Sequence, residues 1–448
     1  MKRPKVQVPA ANGAGTGSDM RRLRATKSLA ETKVMAYVVM SIPALFCVQV
    51  SQEGQLARHY SYGEIGMVVL LLYLAIRVLL RKEQPYLPTM CCLAVSAAYL
   101  LSGLVNQTAS SGTILTFARN WLLCGVLYQV VFRLACDGRF RTLIQRLCVV
   151  MSLILGGLWA NAAGQRWWSV LPGQRIALLS GADSVLSVTN NNGLGMCFVF
   201  LSVPCFIAVI EHRQSALYAV GVVTGILGVV ASFSRTAYIC IAVVAICASI
   251  DGFSRRRRSS LALIIFAAGI SIAAYFWALQ TVPGAEAYWS QKVNRSGEEL
   301  RDLRFGQLIL EPIVNWSGSS LVGILFGDGK SFQHSVISNA IVMTGMLGFV
   351  CVMTAYAQMF LGAVRRGTTG YRPRASVNVR WLLGGTVCAM FAGDCVTNLI
   401  DHLPTLASLF VIVVASFSPQ RVGADPRDAR GRVPEYGNIR ARSAGVAL

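Results

Sequence analysis

The sequence predicts an all-α, polytopic membrane protein with about 12 transmembrane helices and an outer helical segment between the ninth and tenth. Three observations predict it. Hydrophobic residues make up 54% of the chain and charged residues only 14%, with a mean hydropathy of +0.54. Apolar runs long enough to cross a bilayer recur along the whole length. Lysine and arginine alternate from loop to loop as the positive-inside bias requires.

The runs fall near 34–51, 63–80, 86–105, 113–135, 147–164, 193–211, 215–232, 236–252, 260–280, 336–364, 379–400 and 403–418. With the N-terminus inside, 31 of the 41 lysines and arginines lie on the inner face and 10 on the outer. The net charge of +21 is thereby a topology signal, which excludes a nucleic-acid footprint and places both termini inside. Residues 1–33 have the composition of a disordered arm, 34–418 form one membrane domain, and 419–448 read as a disordered tail rich in arginine, glycine and proline. The first run reads as an uncleaved anchor. Thirteen cysteines sit in or beside apolar runs with no C-x-x-C pair, so neither a disulfide framework nor a metal centre is expected.

Residues able to do chemistry gather on the outer side. Arg119 lies at the outer end of the fourth span, where it could equally snorkel to the interface. The outer loop 165–192 opens with Arg166-Trp167-Trp168, an aromatic belt pattern, turns at Pro172-Gly173, adds Arg175 and ends in an asparagine run that caps the next helix. Arg235 stands in the tight outer turn Ser234-Arg235-Thr236, a costly place for a cation unless an anion meets it; the alternative is a bond to a helix C-terminus. The outer segment 281–333 holds a capping box at Ser296-Gly297-Glu298-Glu299. The amphipathic helix it starts carries Arg301 and Arg304 and should stop before Pro312. Arg301 reads as a solvated arginine of its polar face.

After the turn Gly327-Asp328-Gly329 comes His334-Ser335 at the edge of the tenth span, whose Gly345 and Gly348 read as permitting close helix packing. Asp394 is an acid inside the eleventh span, either a structural partner or an orienting group, and Asp401-His402 reads as a capping pair.

Arginine's planar fork matches phosphate oxygens and stays charged. Several on one membrane face suggest a lipid phosphate or pyrophosphate ligand. A pyrophosphate on an anomeric carbon leaves readily once its charge is stabilised, and a neutral histidine is suited to deprotonate an attacking hydroxyl. The outer face carries no D-x-D pattern. The expectation is therefore a metal-independent, cofactor-free single displacement that inverts the anomeric centre.

His334-Ser335, nine residues, Gly345, two residues, Gly348 resembles the signature of bacterial O-antigen ligases, within the O-antigen ligase and polymerase superfamily. The resemblance covers spans six to ten. It implies a glycosyltransferase of the bacterial inner membrane that moves O-antigen from undecaprenyl pyrophosphate to the lipid A-core oligosaccharide, with its active site and the 281–333 segment on the periplasmic face. It further implies that Arg235 and Arg304 grip the pyrophosphate and that His334 activates the acceptor. Arg119, Arg166 and Arg175 are added from charge and topology alone, with Ser335, Arg301 and Asp394 as supporting residues.

The alternatives are an O-antigen polymerase or a protein O-oligosaccharyltransferase, which use the same donor. A different class, the secondary transporter, would show related halves and helices broken near the midplane.

Overall fold

In hydrocarbon a chain segment must satisfy its own backbone N–H and C=O groups, which is why long apolar runs become helices. The computed structural model describes residues 32–46, 48–50, 63–81, 84–108, 112–163, 176–180, 184–188, 191–211, 215–232, 234–253, 311–329, 335–364, 379–397, 400 and 404–418, with isolated positions between 265 and 290. Helix α1 (Thr32–Phe46) precedes strand β1 (Val48–Val50). Four helices follow: α2 (Gly63–Arg81), α3 (Leu87–Val105), α4 (Gly112–Leu134) and α5 (Gly138–Ala163). Strands β2 (Ile176–Ser180) and β3 (Ser184–Val188) lead to α6 (Asn191–Ile210), α7 (Ser215–Ala231) and α8 (Arg235–Phe253). Two short helices, α9 (Glu311–Ser317) and α10 (Leu321–Phe326), precede α11 (Val336–Val364), α12 (Arg380–Thr397) and α13 (Pro404–Phe417).

Six of these helices, α3, α4, α5, α6, α8 and α11, are long and apolar enough to cross a membrane, and α1, α2, α7 and α13 hold shorter apolar stretches. Helices α6 and α13 form the centre: the most apolar stretch of α6 is buried throughout, as is every residue from Leu406 to Phe417. A helix apolar on all sides belongs inside a bundle. Helix α7 closes on α6 through Gly221, Gly225 and Gly228, where β-carbons would stand 2.6 Å from Cys205 Sγ, 2.7 Å from Ser202 Cβ and 2.4 Å from the Phe198 ring. Small residues at this spacing let two backbones approach. The outer helices expose apolar stripes, Ile65, Val68, Leu72 and Ile76 on α2 and Ile239, Ile246 and Ile250 on α8. Surfaces of that kind suit contact with hydrocarbon.

The described residues are overwhelmingly helical, with three short strands besides. Strands β1, β3 and β2 form a three-stranded sheet in that order. β3 is antiparallel to both neighbours, with Val48 opposite Leu186, Ile176 opposite Val188, and an irregularity between Ala177 and Leu179. Two short segments flanking Gly181-Ala182-Asp183 pair as a hairpin, and β1 satisfies the free edge of β3. The first helix accordingly ends at Phe46 rather than 51.

Helix α5 starts at Gly138 instead of 147 because Asp137 caps it, Oδ1 accepting from Arg139 N at 2.9 Å and its carbonyl from Phe140 N at 3.1 Å. Pro312 sits in the first turn of α9, where its missing N–H removes no bond. The helix expected from Ser296, and most of the run 260–280, lie outside the described residues, as do the arm to residue 31 and the tail from 419.

Candidate functional site

Helix α11 is broken. Gly345 has φ 65° and ψ −163° in the middle of an apolar run, a conformation open to glycine and strained for other residues. The break frees carbonyls that a continuous helix would use. Asp328 N donates to Val342 O at 2.8 Å and Gly329 N to Met343 O at 3.2 Å, while Ser102 Oγ on α3 also donates to Met343 O. Gly327 and Gly329 both have positive φ, which brings their turn flat against the gap. Asn106 Nδ2 and Thr108 Oγ1, past the end of α3, donate to Gly327 O and Gly329 O, each at 3.2 Å. Gly345 does more than permit close helix packing. It ends one helical piece and admits the backbone of the 327–329 turn. Gly348 lies against Thr344 of its own helix.

The two pieces of α11 follow helices of opposite sense. Before the break, Asn339 Nδ2 donates to Tyr99 Oη at 3.1 Å and Met343 meets Ser102, so this piece tracks α3. After it, Tyr356 lies against Trp121, ring centroids 6.3 Å apart, and Gly362 lies beside Tyr128, so the chain runs in the same sense as α4. Helices α3 and α4 are antiparallel, Ser96 Oγ donating to Ala118 O and Thr89 Oγ1 to Gln129 Oε1. The first residues of α11 are consequently inside the bundle: Ser335, Val336, Ser338 and Asn339 are all fully buried. Ser335 Oγ finds no hydrogen-bond partner among the described residues, an uncommon condition for a buried hydroxyl.

A second polar constellation joins α4, α11 and α12. Asp394, fully buried, accepts from Tyr356 Oη and, through Oδ1, from Ile400 N at 2.9 Å. Ile400 O in turn accepts from Asn120 Nδ2 at 3.2 Å. Asn120 Oδ1 takes the Nε and Nη2 of Arg119 at 3.3 and 3.2 Å. Asp394 is thus a partnered acid, and Arg119 is a half-buried guanidinium turned onto a fully buried amide. Asn120 and Tyr356 were not singled out from the sequence. A polar residue beside an arginine within an apolar run was the available signal for Asn120.

Arg235 is the first residue of α8. Ser234 caps that helix, its Oγ accepting from Ala237 N at 3.2 Å and donating to Asn192 Oδ1 at 2.7 Å. The cation therefore stands at the positive end of the α8 macrodipole, four residues beyond the end of α7. Helix α8 runs antiparallel to α12, for Leu382 N donates to Asp251 Oδ2 at 2.8 Å and Cys240 Sγ to Ala389 O at 3.2 Å. The Arg235 end of α8 is thereby the Asp394 end of α12. Arg119, Arg235 and Asp394, from three helices, and Ser335, just ahead of α11, gather toward one end of the bundle. Arg166, Arg175, Arg301, Arg304 and His334 lie outside the described residues.

No protein-family model matches the chain, and no curated protein matches it.

Proposed function

We propose that this protein is a glycosyltransferase of the inner membrane that transfers O-antigen from undecaprenyl pyrophosphate to the lipid A-core oligosaccharide. The observation that carries the reading is Arg235, a cation at a helix N-terminus, at the same end of the bundle as Arg119, Asp394 and Ser335. Helix dipole and guanidinium there both favour an anion. In this reading twelve spans place both termini in the cytoplasm, and that end of the bundle faces the periplasm.

Arg235 and Arg304 hold the donor pyrophosphate, with Arg119, Arg166 and Arg175 in support. His334, adjacent in sequence to the buried Ser335, takes the proton of the acceptor hydroxyl. The acceptor oxygen then bonds to the anomeric carbon while the carbon–oxygen bond to pyrophosphate breaks. The leaving group departs with the electron pair, stabilised by arginine instead of a metal ion, and the anomeric configuration inverts. Incubating purified protein with a lipid-pyrophosphate glycan donor and, separately, lipid A-core, a second lipid-linked glycan and an acceptor protein tests the reading. Labelled lipid A-core supports it; label only on glycan or protein assigns the polymerase or the protein transferase.

The break at Gly345 favours one reading of another class, a secondary transporter, because discontinuous helices line transport sites. Uptake of a solute into proteoliposomes without any glycan transfer would select it.

A further inference from the structure

At the far end of α4 from Arg119, the start of α1, the α4–α5 turn and the first turns of α5 enclose an open hollow of about 550 Å³. Its lining carries three cations (Lys33, Arg139 and Arg146), two hydroxyls (Thr32 and Thr142) and one large apolar side chain, Leu143. One acid, Asp137, also lines it. That carboxylate is already engaged, Oδ1 with Arg139 N at 2.9 Å and Oδ2 with Thr32 Oγ1 at 3.4 Å. The hollow therefore keeps an excess of two positive charges around space large enough for a phosphate and its substituents.

Farther along the same two helices the exposed side chains are apolar, Val34 and Tyr37 on α1 and Val150, Leu153 and Ile154 on α5. A soluble anion would have no use for them. We propose that the hollow holds the phosphate headgroup of an anionic membrane phospholipid whose acyl chains lie along these faces of α1 and α5. Cations at the end of apolar helices are the pattern that recognises such headgroups. The site is separate from the Arg235 end of the bundle and depends only on the chain lying in a membrane.

The test is native mass spectrometry of the delipidated full-length protein, titrated with phosphatidylglycerol, phosphatidylethanolamine or inorganic phosphate. The expected result is one tightly held phosphatidylglycerol, preferred over phosphatidylethanolamine by about thirtyfold, as an excess of two positive charges near a phosphate implies. The preference should be nearly abolished in the Lys33→Gln/Arg139→Gln/Arg146→Gln variant and retained in Arg380→Gln. Equal binding of the two lipids, or a preference that survives the triple substitution, would overturn the proposal. So would displacement of the lipid by millimolar inorganic phosphate, which would reveal a site for a soluble anion. Should the triple variant fail to fold, the wild-type comparison of the two lipids decides alone.

Discussion

Gly345 and Gly327 meet backbone to backbone. A β-carbon on Gly345 would stand 2.4 Å from the carbonyl carbon of Leu325, and one on Gly327 would stand 2.3 Å from that of Met343. Each glycine also has a positive φ, so neither space nor conformation admits a side chain. This closure fixes where residues 327–329 stand against α11.

Gly345→Ala is expected to destabilise the protein by at least about 2 kcal/mol, since the strained φ alone is worth ~1–3 kcal/mol. Gly157→Ala on α5, where a β-carbon meets nothing within 4 Å, should be neutral or stabilising by up to ~1 kcal/mol. Thermal unfolding in detergent checks the pair. Equal stability of the two variants would mean that the break tolerates a side chain.

The network from Arg119 to Tyr356 predicts coupling across helices. Tyr356→Phe removes one donor to a buried carboxylate and should cost about 1.5–3 kcal/mol, the range for hydrogen bonds to charged groups. Added to Asp394→Asn, it should cost distinctly less than it does alone. A double-mutant cycle on unfolding measures this, and strict additivity would dissociate the two residues.

Much of the helical framework was legible because one simple property, sustained apolarity, dictates it. The sheet was not. Val48–Val50 continues the first apolar run, so composition could not separate strand from span. The β2–β3 pair lies in a segment whose paired tryptophans and Pro172-Gly173 turn read as a surface loop. The break at Gly345 was equally hidden, because residues 336–364 are predominantly apolar and glycine is common in membrane helices. Only the 327–329 turn, distant in packing terms until the chain is folded, explains it. Of the candidate site, Arg119 and Asp394 were visible as charges in apolar runs. Their connection through Asn120 and Ile400 required coordinates, since it links residues some 280 positions apart.

At Arg235 the shape of the cation should matter as well as its charge. Arg235→Lys keeps the charge but loses the planar fork. Transfer should fall about ten- to hundredfold, as loss of one charge-assisted hydrogen bond implies. Initial rates at saturating donor would show it, and unchanged activity would remove Arg235 from pyrophosphate binding.

Arginine in place of metal predicts indifference to chelators. Transfer rates with excess chelator should equal those without it. A collapse restored by magnesium would contradict the proposed charge stabilisation.

The most direct test follows transfer of labelled glycan from undecaprenyl pyrophosphate to lipid A-core by the purified protein and by its His334→Ala variant. The account predicts robust transfer by the first and a rate lower by ~10²–10⁴ in the second, the contribution of a positioned base. Absence of transfer by the wild-type protein, or equal rates from both, would contradict it.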